Sequence, residues 1–200
     1  MRIFTGTETG RELFLALLIT PRDTARELPA VITDYSGFRM LFGAVVSLMT
    51  GVWLFGFLPR WPVLVPHMLF CVLSRFLLAS FAVFLFSAMY GYFAEVIGGS
   101  GSGNRLFKIL PYSSIPFLFT APAALLTRAF IPGPGVVSMG LFLLFFGLWS
   151  FYLQVALVRN IYGIYPYEAL AVCLIPWVIS LGVMLLLFLS VLVSMGALFL

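Results

Sequence analysis

Arg75 is the residue in this 200-residue chain whose type and position most need a chemical account. It interrupts an apolar run from about residue 65 to 94, about ten residues in, and an ionisable side chain at membrane depth costs at least about 2.5–3.5 kcal/mol. Two readings stand. A helix starting near Val65 would bury the guanidinium roughly 15 Å deep at about 1.5 Å per residue. Alternatively, residues 63–74 lie at the interface or re-enter, the helix proper begins at Arg75, and its side chain snorkels to headgroups. The second fits the length better, because the run exceeds the ~20 residues one crossing needs. His67 is the single histidine and stands beside Pro66 near a boundary. Beyond Asp34 the only acids are Glu95 and Glu168, each at the end of an apolar run. A proton or cation relay needs acids within the spans. There is no GxSxG or HExxH motif, and no base is paired with a serine or cysteine. Cys71 and Cys173 lie in apolar runs and form no CxxC pair, so they read as packed thiols. The expectation is a protein that is not an enzyme, with no metal site and no cofactor.

Other residues offer packing and polarity rather than catalysis. Gly43, Ser47 and Gly51 recur every four residues, a small-xxx-small face that lets another helix approach closely. That face serves either contact within the bundle or a seam with a partner. Pro111, Pro116 and Pro122 crowd one apolar stretch with Tyr112, Ser113 and Ser114. Prolines free backbone carbonyls that neighbouring hydroxyls can satisfy, so this span should be kinked or broken. A small polar cavity lined by Arg75, Tyr112, Ser113 and Pro116 is the site expectation that follows.

The elements that must hold these residues follow from composition. The chain is 62% apolar, 17% aromatic and 9% charged, with a mean hydropathy of +1.14. Soluble domains are nearer 25% charged, so these few charges cannot cover a globular surface. The reading is an all-α polytopic membrane protein whose partner is the lipid bilayer. The net charge of +4 is modest and its basic residues gather at span boundaries, so no nucleic-acid binding is implied.

Hydropathy divides residues 40–200 into five spans, at about 40–58, 65–94, 109–130, 135–158 and 168–199. The glycine-serine stretch of residues 98–104 reads as a flexible linker, since it lacks the phosphate-binding pattern. Residues 1–39 have soluble composition, with five arginines and five acids. Within this leader, residues 8–19 read as a short amphipathic helix on the membrane surface. Thr20, Pro21 and Asp23 open a second short helix. Its Arg22/Arg26 and Asp23/Glu27 pairs form charged stripes, either a solvated face or a docking surface for a partner. With the N-terminus inside, the cytoplasmic segments collect eight basic residues against three on the other side. The positive-inside rule therefore places the N-terminus in the cytoplasm and the C-terminus opposite.

In sequence order these features resemble the Yip1 family of integral membrane proteins. A soluble leader precedes five clustered spans. The phrase Thr20-Pro-Arg-Asp-Thr-Ala-Arg-Glu-Leu28 is similar to the proline-to-leucine opening of bacterial members. Leu110-Pro-Tyr-Ser-Ser-Ile-Pro116 resembles the family's third-span entry, with proline in place of the usual glycine before the tyrosine. Trp149-Ser-Phe-Tyr-Leu-Gln-Val-Ala-Leu157 and Ile161-Tyr-Gly-Ile-Tyr-Pro-Tyr-Glu-Ala-Leu170 look like its fourth span and turn. Eukaryotic members bind Rab GTPases and one another in ER–Golgi trafficking, but their D-L-Y-G-P signature is absent here. The resemblance therefore implies a bacterial inner-membrane member. The function expected is a scaffold that associates with itself or with another membrane protein. The alternative is a small transporter or lipid-handling protein with its cavity near Pro111 and Pro116.

Overall fold

The computed structural model describes residues 36–56, 61–130 and 135–197. The leader readings, including Arg22 and Arg26, lie outside the described residues. The described chain is all helical, and five of its helical segments are long and apolar enough to cross a membrane.

The first, α1 (Ser36–Gly56), begins four residues before the expected span and takes in Arg39. At about 1.5 Å per residue it is roughly 31 Å long, close to the hydrocarbon thickness. The second, α2 (Trp61–Val96), is one continuous helix with Pro66 inside it. At roughly 54 Å it is longer than a crossing needs, a mismatch that tilt or extension absorbs. The expected break before Arg75 does not occur.

The third span is three pieces in series: α3 (Gly103–Ile109), a 3₁₀ helix (Leu110–Phe119) and α4 (Thr120–Phe130). A ten-residue 3₁₀ run is unusual, because such runs seldom exceed about 3–4 residues. Two of its prolines, Pro111 and Pro116, lack the amide hydrogens an α-helix would use. The prolines thus break the span as expected, by changing helix type. α5 (Gly135–Tyr162) and α6 (Pro166–Ala197) complete the bundle, and α6 carries Pro176.

The third span is the centre of the molecule. Residues 110–116 are all buried, with α1 on one side and α5 on the other. Ile109, Tyr112 and Ile115 meet Leu153 and Leu157 of α5 in one core cluster. A second cluster gathers Tyr90, Leu106, Val158, Tyr162, Val172 and Cys173 from α2, α3, α5 and α6. α2 is at the opposite extreme. The most apolar stretch of its span is 6% buried, against 56% for the third span.

Candidate functional site

The packing between α1 and the third span is set by small residues. A Cβ on Gly37 would lie 2.8 Å from the Tyr112 ring, and one on Gly51 would lie 2.9 Å from Thr120 Cγ2. A Cβ on Gly43 would meet Leu118 Cδ2 at 3.0 Å. These contacts advance together along both elements, so α1 and the third span run parallel. The Gly43/Ser47/Gly51 face is therefore filled by the chain's own third span. In this arrangement it offers no seam to a second chain, and the partner-binding expectation for these residues gives way to intramolecular packing.

Ser47 does more than fit. Its hydroxyl donates to the Leu118 carbonyl at 2.7 Å and accepts from the Ala121 N–H at 3.0 Å. In a continuous α-helix Leu118 would receive the N–H of residue 122, which is a proline and has none. One side chain of α1 thus fills the hydrogen-bonding gap that Pro122 opens in the third span. Buried backbone groups need such partners in the absence of water. At one end of the same interface Ser36 Oγ and Tyr112 Oη share a hydrogen bond of 2.7 Å. At the other, Arg128 donates to the Leu54 carbonyl at 3.1 Å. That places a cation against the negative C-terminal end of α1.

Most polar groups of the broken span are used locally. Ser114 donates to the Pro111 carbonyl at 2.6 Å and Thr127 to the Ala123 carbonyl at 2.8 Å. Thr120 is the exception: its hydroxyl is buried and has no hydrogen-bond partner among the described residues. A helical threonine ordinarily donates to the carbonyl four residues earlier, as Thr50 does to Val46. For Thr120 that carbonyl belongs to Pro116, within the more tightly wound 3₁₀ stretch.

The expected cavity is not assembled. Tyr112, Ser113 and Pro116 are buried in the packed centre, while Arg75 is exposed on α2. The Tyr112 ring fills the space that a side chain on Gly37 would need.

Sequence reasoning missed a second site. The glycine-serine loop is a collar around Tyr162 rather than a free linker. A Cβ on Gly101 would lie 2.5 Å from the Tyr162 ring, and Ser100 N–H donates to the Tyr162 carbonyl at 3.2 Å. Gly98, at φ +100°, turns the chain into the collar through backbone space that favours glycine. The Tyr162 hydroxyl is buried with no hydrogen-bond partner among the described residues. No spacing signal in the sequence points to this contact, since composition alone reads as a linker. Nearby, Tyr90 Oη donates to Gln154 Oε1 at 3.0 Å, joining α2 to α5.

Glu168 lies in the first turn of α6. Its Oε2 accepts from the Tyr165 N–H at 2.8 Å, which caps the start of α6 and sets a negative charge at its positive end. Among the described residues no group of histidine, cysteine and acid side chains could hold a metal ion. No family model, no characterised protein and no solved structure matches the chain.

Proposed function

We propose that this chain is a non-enzymatic integral membrane scaffold that assembles with another membrane protein. The observation that carries this reading is the contrast between a filled centre and a bare periphery. The third span is packed on α1 and α5, and its break is bridged by Ser47. α2 buries few residues of its span. Polar groups in the centre are used mainly to hold the fold together. The resemblance to bacterial Yip1-family proteins fits the same role, with residence in the inner membrane and a cytoplasmic N-terminus. Tagged full-length protein, extracted in mild detergent, should bring down a partner at fixed stoichiometry. Deleting residues 1–29, which carry Arg22 and Arg26, should weaken that association. Reproducible recovery of the chain alone would overturn the proposal.

A solute- or lipid-handling role is the second reading, favoured by the long 3₁₀ stretch and the unpartnered Thr120 hydroxyl. Extended 3₁₀ segments within helices often mark hinges. In proteoliposomes this reading requires a flux that falls in Tyr112→Phe. Flux no greater than in empty vesicles removes it.

A further inference from the structure

We propose that the basic cluster around α3, formed by Arg39, Arg105 and Arg159 with Lys108 beside them, binds the headgroup of an anionic phospholipid. The inference stands apart from the scaffold reading and needs no protein partner.

These four are most of the lysines and arginines among the described residues, and they come from three elements that α3 draws together. A Cβ on Gly37 would lie 2.9 Å from the Lys108 carbonyl, and the Phe38 and Phe107 rings are 5.3 Å apart. Arg39, in the first turn of α1, is therefore placed beside α3. From α5, Leu157 shares a core cluster with Ile109, and Val158 shares one with Leu106. Arg159 follows them directly and so comes to the same short helix.

The cluster is short of counter-charge. Arg39 and Arg105 are exposed, Lys108 and Arg159 are half-buried, and the three arginines make no hydrogen bond or ion pair with any described residue. The acids among the described residues are Glu95, in the last turn of α2, and Glu168, which is taken up in capping α6. Guanidinium groups present forked donors that match phosphate oxygens. Basic groups beside a membrane are drawn to anionic lipid.

Depth favours a lipid over a soluble anion. The Phe84 and Phe107 rings are 5.9 Å apart, so the start of α1 is level with Phe84 of α2. From there α2 runs on to Val96, about 18 Å further at 1.5 Å per residue. Leu85, Tyr92 and Val96 on that continuation are exposed. Exposed apolar side chains that reach past the cations set the cluster on the flank of the bundle, where lipid lies against it. Exposed tyrosines, Tyr92 here and Tyr165 and Tyr167 at the start of α6, are the residues expected at headgroup level. In the deeper direction Phe42, one turn after Phe38, is exposed and offers an apolar surface to the acyl chains.

The test uses the full-length chain in a neutral detergent, titrated with phosphatidylglycerol or with phosphatidylcholine of the same acyl chains. Bound lipids are counted by native mass spectrometry. Phosphatidylglycerol should be retained preferentially, and less so as salt is raised. Arg39→Gln and Arg105→Gln, both at exposed positions, should each weaken its binding about fivefold. Arg39→Lys and Arg105→Lys should keep most of it. Arg128→Gln, at the opposite end of α1, should leave it unchanged.

Equal retention of the two lipids by the wild type would overturn the inference without recourse to any variant. So would phosphatidylglycerol binding that is unchanged in the combined Arg39→Gln and Arg105→Gln variant, or that falls as far in Arg128→Gln. Displacement of the lipid by an equal concentration of inorganic phosphate would assign the cluster to a soluble anion and overturn it too. None of these results bears on whether a partner protein co-purifies.

Discussion

Ser47 and Thr120 show how one kind of group, a hydroxyl against a helix break, takes opposite values. The Ser47 hydroxyl serves two backbone groups of the third span. Ser47→Ala should lower stability by roughly 1–3 kcal/mol, the usual cost of leaving buried backbone groups unsatisfied. Thermal unfolding in detergent would read this as a lower midpoint. Thr120 brings a buried hydroxyl with no partner among the described residues. Thr120→Val keeps the shape and removes that group, so it should be neutral or raise the midpoint. Gly101→Ala places a methyl 2.5 Å from the Tyr162 ring and should cost about 1–3 kcal/mol through overpacking. Of these residues only Ser47 stood out in the sequence, and only for its size. Its hydrogen bonds reach a carbonyl 71 positions away, a separation that no local pattern encodes.

At the scale of elements, the third span depends on α1 for its hydrogen bonds. That dependence can be measured by a double-mutant cycle between Ser47 and Pro122. Pro122→Ala restores an N–H that can reach the Leu118 carbonyl. The cost of Ser47→Ala should then shrink by about 1 kcal/mol in the Pro122→Ala background. Strict additivity would mean that Ser47 does not act at the proline gap. The break itself was legible, because three prolines in one apolar stretch cannot sustain an α-helix. The 3₁₀ form of the break was not legible, since prolines interrupt an α-helix without dictating what replaces it. The length of α2 was misread for a related reason. Arg75 suggested a boundary, yet the backbone continues through it as one helix from Trp61. The glycine-serine loop was misread because a flexible linker and a close-packed collar share one composition. Only the ring of Tyr162, 61 positions beyond Gly101, distinguishes them.

For the whole molecule, apolar content and run lengths made the all-helical class and the five membrane-long helices legible. The parallel pairing of α1 with the third span was foreshadowed by small residues at four-residue spacing. Which element would fill that face was not. The proposed orientation rests on the distribution of basic residues. A reporter active only in the cytoplasm should work at the N-terminus and fail at the C-terminus; the reverse pattern would invert the topology. The central claim is that this chain is one piece of a larger membrane assembly. Native mass spectrometry of the complex released from membranes tests it most directly. The account predicts a species heavier than the 22.2 kDa chain by the mass of a distinct protein at a fixed ratio. A species at 22.2 kDa alone would contradict it.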